Sequence, residues 1–234
     1  MTCEIFTDAG KPGFERLYAL YRTMFPDPDE AEDLEGIKAS LELVGDAELT
    51  ERYGKFEEYW IAAVENRQTA GGVNFTSFKG SSSAHINYLF TSPAFRERGI
   101  GSALLGKVRK ISQAGLLFCE QNDPSLMSPG QIDADFKSAG ISLEERIAWW
   151  NHRGFGKLDF RYVQPPLSPD KEAAEGMSLN VCPSDSPLSG KMVAEHLRRF
   201  FYLSVLKKRF GTDPRTEAIL AEVASRDLIR FIRS

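Results

Sequence analysis

The residues best suited to chemistry form a glycine turn that runs from Arg96 to Ser102. Gly99 and Gly101 allow the backbone to turn tightly and to approach a ligand closely. Apolar residues then follow at spacings of three and four, which predicts an amphipathic helix directly after the turn. The first amides of a helix lack intrahelical partners and lie at the positive end of its dipole, so a phosphate or pyrophosphate suits this position. Arg98 and Arg96 would add positive charge beside it.

The turn differs from two common phosphate-binding motifs. A P-loop needs a Lys-Ser or Lys-Thr pair after its last glycine, whereas Gly101 is followed by Ser102 and Ala103. A dinucleotide fingerprint needs a third glycine three residues after the second, and Leu104 stands at that position. The turn therefore predicts a phosphate-bearing ligand but matches neither of these loops.

The predicted elements place the turn between a strand and a helix. Strands are predicted at residues 3–7, 59–64, 71–78, 85–91, 116–120, 158–164 and 177–181. Helices are predicted at residues 14–24, 29–45, 101–111, 142–153, 192–210 and 213–232. Residues 121–142 are polar and rich in turn formers, which predicts a long loop or a loop that contains a short helix.

The turn and its flanks resemble the GNAT superfamily of N-acetyltransferases. Arg96-x-x-Gly99-x-Gly101 resembles the family's [Q/R]xxGx[G/A] motif, and residues 89–96 are similar to the strand, proline and arginine that lead into it. Residues 149–155 are similar to the family's second signature, an aromatic residue followed by x-x-x-Gly-Phe. The order of the predicted elements also fits, so the resemblance covers roughly residues 3–182.

The resemblance implies a fold class and a domain division. We expect an α/β chain with a mixed sheet (α+β), in the GNAT acyl-CoA N-acyltransferase fold, over residues 1–183. Residues 184–234 would be a C-terminal helical extension. The basic amphipathic helix of that extension would cover its own domain, form a homodimer contact, or bind a membrane or another partner.

The resemblance also implies acetyl-CoA as the cosubstrate, with no metal. In the family, acetyl-CoA lies in a cleft where the fourth and fifth strands splay apart. Carried over, the backbone of residues 89–91 would pair with the pantetheine arm, and the amides of residues 98–102 would hold the pyrophosphate. The predicted cofactor-binding residues are Leu89, Phe90, Thr91, Arg96, Arg98, Gly99, Ile100, Gly101, Ser102, Asn122 and Trp150.

The implied reaction is direct attack of a primary amine on the thioester. A protonated alkylamine, with a pKa of ~10.4, cannot attack, so a base or a proton-carrying water chain is needed. His85 is one predicted base, because several family members place a Glu or His at this position of the strand before the turn. Glu120, at the end of the fifth strand, is the other. The alternatives are a half-exposed strand histidine and a solvated strand-end charge.

The group that protonates the CoA thiolate stays open in the sequence. The family's usual acid is a tyrosine at the position of Trp150, and an indole cannot give up its proton at useful pH. Water, the substrate, Tyr88 or Tyr162 could replace it, and Trp150 would pack on the cofactor or in the core. A backbone amide on the fourth strand, with Thr91 as the best candidate, would stabilise the tetrahedral oxyanion.

The acceptor is predicted to be the primary amine of a small molecule. The alternatives are a protein N-terminus or lysine side chain, and a GNAT-like module that binds CoA without turnover. An acidic run precedes the second helix and would suit a cationic amine, or would simply favour a helix start. The run consists of Asp27, Asp29, Glu30, Glu32, Asp33 and Glu35.

Composition limits the partners and the location. The formal net charge is -4, without the basic surplus typical of nucleic-acid binding, so no nucleic-acid partner is expected. Three widely spaced cysteines predict neither a disulfide framework nor a zinc knuckle. No apolar run approaches the ~18 residues that span a bilayer, and no signal peptide is visible, so we expect a cytoplasmic protein without a membrane partner.

Overall fold

The computed structural model describes residues 1–27, 31–166, 173–207 and 214–232. They belong to two compact units, Met1–Gly115 and Leu116–Ser234. The predicted division into a domain at 1–183 and an extension at 184–234 stays a prediction. The architecture is a mixed α/β fold with strands and helices in both units, as predicted.

The first unit is an antiparallel sheet with four helices. Its strands are β1 (Thr2–Phe6), β2 (Phe56–Glu65), β3 (Gln68–Phe78) and β4 (Ser83–Thr91), which pair in sequence order. Its helices are α1 (Phe14–Met24), α2 (Leu34–Glu42), α3 (Ala47–Tyr53) and α4 (Ile100–Ser112). The predicted strands at 59–64, 71–78 and 85–91 are therefore confirmed, and each begins a few residues earlier than predicted.

An aromatic core holds α1 against the sheet. Phe14, Leu17 and Tyr21 recur at helical spacing and are buried on one face of α1. Trp60 of β2 contacts the ring of Tyr21 edge-on, with the centroids 5.2 Å apart. Edge-on contacts of this kind stabilise aromatic pairs by about 1 kcal/mol beyond the area they bury.

Residues 29–45 are predicted as one helix, but the structure shows a shorter helix, α2, followed by a second one, α3. Asp29 and Glu30 lie outside the described residues, and α2 begins at Leu34, where the side chain of Asp33 accepts a hydrogen bond from the Gly36 amide. Asp46, directly after the predicted end of this helix, accepts from the Leu49 amide and so caps α3, a helix that was not predicted.

In the second unit three antiparallel strands pair in the order β5-β7-β6. Its strands are β5 (Leu116–Asn122), β6 (Gly156–Lys157) and β7 (Met177–Cys182). Its helices are α5 (Pro129–Ala139), α6 (Leu143–Asn151), α7 (Gly190–Phe200) and α8 (Pro214–Ala224), and a π-helical turn at Phe201–Val205 extends α7. The predicted loop at 121–142 contains α5, which Ser128 begins with a capping box.

The strand predicted at 158–164 is wrong. Only Gly156–Lys157 pairs with β7, and the Phe160 amide then donates to the carbonyl of Leu158, which turns the chain out of the sheet. Beyond that point Gln164 forms an isolated bridge with Ala174. The alternating apolar residues are explained by other contacts, since Leu158 and Tyr162 are both buried without a continuous strand partner.

The last helix ends earlier than predicted, at Ala224 rather than residue 232. Ile229 instead pairs with Leu188 in an extended bridge. The end of α8 packs directly on the start of α7, where a Cβ at Gly190 would lie 2.2 Å from the carbonyl oxygen of Arg226. The predicted helix 192–210 is confirmed in part, as α7 and its π-helical turn, and residues 208–210 lie outside the described part.

Arg198 of α7 is paired inside the second unit. Arg198 binds Glu217 of α8 at 2.8 Å, and the hydroxyl of Tyr202 donates to the same carboxylate at 2.6 Å. The apolar face of α7 is buried at Val193 and Leu197. This helix therefore covers its own unit, one of the expected roles, while a homodimer contact stays a prediction. No helix within the described ranges has the length and apolar character required to span a membrane.

Candidate functional site

The glycine turn predicted to bind phosphate joins β4 to α4. Gly99 is the N-terminal cap of α4 in the left-handed region, with φ of 74°, and it supplies no capping side chain. The Ala103 amide donates the first intrahelical hydrogen bond, to the carbonyl of Gly99 at 3.0 Å. The amides of the first helical turn come before Ala103 in the chain. Ile100 and Leu104 are buried and anchor the helix start. This geometry leaves the positive end of the helix dipole without a side-chain cap.

The turn is open on the side of Gly99. A Cβ built at Gly99 would meet no atom within 4 Å. Arg98 forms an ion pair with Glu65 at 3.6 Å, and its guanidinium lies 5.3 Å from the ring centre of Phe95. The Arg98 side chain is 53% exposed, so it combines a fixed position with access to a phosphate.

A glycine of β3 allows the end of β4 to lie close to the turn. Gly71 pairs with Thr91 in the sheet. A Cβ at Gly71 would lie 2.6 Å from the carbonyl oxygen of Phe90 and 2.9 Å from Cγ2 of Ile100. Glycine therefore permits the contact between β3 and the residues predicted to bind the cofactor, a role that the sequence analysis missed.

Replacing Gly71 with alanine is expected to displace the end of β4 and the start of α4. Because the nearest atom belongs to the backbone, the strain should cost about 2 kcal/mol of unfolding free energy, measured by urea denaturation. Gly106 of α4 is the matched control, since a Cβ there meets no atom within 4 Å. Gly106→Ala should stabilise the protein by roughly 0.5–1 kcal/mol. Equal stabilities of the two variants would contradict the packing role of Gly71.

A β-bulge lies on β4 at Asn87. The register pairs Asn74 with Tyr88 and Phe75 with Ile86, so β4 contains one extra residue between them. The side-chain amide nitrogen of Asn87 donates to Oδ1 of Asn74 at 2.7 Å and to Oγ1 of Thr76 at 3.3 Å, which fixes the bulge. The bulge follows from pairing between strands and has no signal in the local sequence.

His85, one of the two predicted bases, is fully buried. It pairs with Thr76 in the sheet and has a relative exposure of 0%. Burial lowers the pKa of His85 to about 3, so the imidazole is neutral at physiological pH. A neutral imidazole can accept a proton, and its role as base stays a prediction.

Glu120, the other predicted base, lies in a polar cluster of the second unit. Its Oε1 accepts a hydrogen bond from the hydroxyl of Tyr162, and its Oε2 accepts from Nε2 of Gln164 at 3.2 Å. Burial raises the pKa of Glu120 to about 7, although the hydrogen bond from Tyr162 opposes that rise. Glu120 is therefore a partly buried carboxyl group with a raised pKa, rather than a solvated strand-end charge.

Tyr162, one of the residues considered as the thiolate acid, has a role in this cluster. It is 1% exposed, and burial together with the Glu120 charge raises its pKa well above 10.0. A phenol this weakly acidic holds its proton and acts as a hydrogen-bond donor.

The two remaining predicted cofactor contacts of the second unit pack against other side chains. Asn122 donates from Nδ2 to Asp135 of α5 at 2.9 Å, and Asp135 also accepts from Arg146 at 2.7 Å. Trp150 lies at the end of α6 and contacts the buried ring of Phe155 edge-on, with centroids 4.7 Å apart. Trp150 is only partly buried, so one side of the indole remains accessible.

The acidic run has structural roles where it is described. Asp33 caps α2, and Glu35 pairs with Lys38 at 2.8 Å. The Glu32 amide donates to the hydroxyl of Tyr21 at 2.8 Å. These contacts agree with the helix-start interpretation, and binding of a cationic acceptor stays a prediction.

The predicted residues fall into one group in each unit. In the first unit, Leu89, Phe90 and Thr91 at the end of β4 lie beside the turn that contains Arg96, Arg98, Gly99, Ile100, Gly101 and Ser102. In the second unit, Glu120 and Asn122 lie on β5 and Trp150 on α6. A search of the described ranges finds no cluster of three or more His, Cys, Asp or Glu side chains that could hold a metal ion.

Comparison with known proteins agrees with this geometry. Residues 14–126 match the model of the acetyltransferase (GNAT) family. A solved protein from Bacteroides thetaiotaomicron, described as a GNAT-family acetyltransferase, is 18% identical, with a TM-score of 0.56 over 77% of this chain and 86% of that one. No curated protein sequence matches the chain.

Two further solved structures are more distant. Aminoglycoside 6'-N-acetyltransferase from Enterococcus faecium is 16% identical, with a TM-score of 0.48 over 77% of this chain and 96% of that one. Ribosomal-protein-S18-alanine N-acetyltransferase from Escherichia coli is 12% identical, with a TM-score of 0.45 over 77% and 92%. At these distances neither structure indicates an acceptor for this chain.

Proposed function

We propose that this chain, whose residues 14–126 match the model of the acetyltransferase (GNAT) family, transfers the acetyl group of acetyl-CoA to the primary amine of a small molecule. The observation that carries the proposal is the open turn at Gly99, which caps α4 without a side chain. A pyrophosphate there accepts hydrogen bonds from the first amides of α4 and is stabilised by the helix dipole. Arg98 adds a positive charge at the same turn.

The cosubstrate contacts follow from the resemblance and from this geometry. The backbone of Leu89, Phe90 and Thr91 pairs with the pantetheine arm as an added strand would. The thioester supplies the activated acyl group, and the protein binds and orients it. Glycine at position 71 supports this arrangement, because it allows the end of β4 to approach α4.

The reaction needs a free amine and a proton acceptor. The amine nitrogen forms a bond to the acetyl carbon, the carbon–sulfur bond breaks, and the sulfur leaves as a thiolate that takes up a proton. We favour Glu120 as the base that removes the proton from the amine, because its pKa of about 7 suits transfer near neutral pH. His85 is the second candidate, and its complete burial makes it the weaker one.

A non-catalytic CoA-binding module is the second candidate function. Trp150 favours it, because an indole replaces the tyrosine that serves as the acid in the resembled family. Binding would then rest on the same turn at Gly99, without turnover. This alternative and the peptide acceptor are separated from the main proposal by a single set of measurements.

Calorimetric titration with acetyl-CoA, followed by a thiol-release assay over small amines and peptides, tests the proposal. We expect saturable acetyl-CoA binding, and thiol release that depends on a small primary amine. Faster turnover of peptides than of small amines would indicate a protein as the acetyl acceptor. Binding without release on any acceptor would leave the non-catalytic module, and the absence of binding would refute both.

A further inference from the structure

A buried polar chain crosses the first unit from α2 to β4. Glu58 of β2 is 7% exposed, and its carboxylate accepts at both oxygens. Oε2 accepts from the hydroxyl of Ser40 at 2.5 Å, and Oε1 accepts from Nδ2 of Asn74 at 2.9 Å. Polar groups buried this deeply are expensive unless they are satisfied, so each contact restricts the next one.

The carboxylate of Glu58 and the backbone carbonyl of Tyr59 decide which way the two amides face. Both groups only accept hydrogen bonds, and Nδ2 of Asn74 lies 2.9 Å from the first and 3.1 Å from the second, so the oxygen of Asn74 must face Asn87. The amide nitrogen of Asn87 must then face Asn74, to which it donates at 2.7 Å, and its other proton reaches Thr76 at 3.3 Å. Both donors of Asn87 are used, and its oxygen is left as the free end of the chain.

That oxygen is the unusual feature. Oδ1 of Asn87 is buried and has no hydrogen-bond partner among the described residues. Buried acceptors are nearly always satisfied, so an isolated one indicates a donor supplied by water or a ligand. Asn87 is also the bulge residue of β4, and Leu89, the first residue predicted to pair with pantetheine, follows two positions later. This hydrogen-bond acceptor, Oδ1 of Asn87, thus lies on the strand predicted to hold acetyl-CoA.

We propose that Oδ1 of Asn87 accepts a hydrogen bond from an N–H of the acceptor amine, and that Glu58 is a positioning residue that orients Asn87 through Asn74. This inference rests on the proposed acetyl transfer and assigns it a residue that selects the acceptor. An oxygen fixed in this direction requires an amine that carries an N–H directed towards it. The buried carboxylate of Glu58 makes Oδ1 of Asn87 a stronger hydrogen-bond acceptor, because it aligns the amide dipoles of Asn74 and Asn87 in one direction.

The kinetic test uses spermidine, tyramine and an alanine-initiated peptide as acceptor probes. Asn87→Ala should raise the KM of the amine that the wild type acetylates fastest by about tenfold, because one hydrogen bond is lost. Its acetyl-CoA Kd should stay within about twofold of the wild-type value. Glu58→Gln should raise the same KM by several-fold, since the new side-chain amide can either donate or accept, and only the longer hydrogen bond to the Tyr59 carbonyl, at 3.1 Å, then orients Asn74.

Ser40→Ala is the matched control, because it removes a hydrogen bond to the same carboxylate while Asn74 stays oriented. It should lower the melting temperature and leave the amine KM unchanged. A purely structural role of the chain would move KM in Ser40→Ala and Glu58→Gln alike. That result, or an unchanged KM in Asn87→Ala, would overturn the inference.

An acceptor-free measurement separates this inference from the proposed function. In protein labelled with 15N-asparagine, the Nδ2 protons of Asn87 should exchange slowly with solvent in the wild type and about tenfold or more faster in Glu58→Gln. Equal exchange would refute the orientation by Glu58, whatever the enzymatic activity. Failure of the wild type to acetylate any probe, with slow exchange intact, would count against the proposed function instead.

Discussion

Replacing Gly99 with glutamate is expected to abolish acetyl-CoA binding. The residue caps α4 at the predicted pyrophosphate site, and a Cβ there meets no atom within 4 Å, so the new side chain would fit without displacing protein atoms. Its carboxylate would instead occupy the space of the ligand and repel the phosphates. Calorimetric titration should show a loss of about 100-fold or more in affinity, equivalent to about 2.7 kcal/mol.

Gly99→Ala is the control for the backbone. Any residue with a side chain is strained at φ of 74°, so both variants should lose about 1 kcal/mol of unfolding free energy. Only the glutamate variant introduces charge and bulk. Comparable acetyl-CoA affinities for the two variants would show that the turn at Gly99 does not hold the phosphates.

The elements that could be predicted are those with local signals. The turn at Gly99 and the helix after it were predicted because two glycines and apolar residues at helical spacing lie within a short segment. The end of α1 before Pro26 was predicted for the same reason, since proline restricts the residue before it and cannot continue a helix. Local sequence signals therefore located the first helix and, to within one residue, the helix that follows the glycine turn.

The wrong predictions concern segments whose partners are distant in the sequence. Residues 158–164 alternate as a strand does, but Leu158 bridges Phe231, and the chain turns at Phe160. Ile229 suits the apolar face of a continued helix, yet it pairs with Leu188 in an extended conformation. Periodicity records which side chains are buried, and it does not record which backbone groups pair.

Contacts between residues distant in the sequence also limited the prediction of the chemistry of the site. The sequence identifies Glu120 and His85 as titratable groups on strands, but their surroundings come from Tyr162, Gln164 and the β3–β4 pairing. Burial then shifts the pKa of each group, upward for the acid and downward for the imidazole. Glu58 belongs to no motif, and only the structure shows its hydrogen bonds from Ser40 and Asn74.

Replacing Glu120 with glutamine is expected to lower the rate of acetyl transfer by about 100-fold, because the amide cannot accept the proton of the amine. Acetyl-CoA affinity should be unchanged. The wild-type rate should fall as the pH falls through about 7, where the carboxylate becomes protonated, and the variant should lack that inflection. A thiol-release assay between about pH 5 and pH 9, with the amine held in excess, measures both the lower rate and the change in its pH dependence.

The same substitution has a signature in stability that does not depend on activity. The pKa of Glu120 is raised in the folded protein, from its ordinary value of 4.5 to about 7, so the folded state holds this proton more tightly than the unfolded chain does. Stability therefore falls as the pH rises between those two values, since the unfolded chain releases the proton first. Glu120→Gln should remove that loss, so its melting temperature should gain on the wild type from about pH 5 to pH 8. Glu144→Gln, an exposed change of the same kind on α6, should not, and a wild type that tracks both variants would show that Glu120 titrates as an ordinary surface acid.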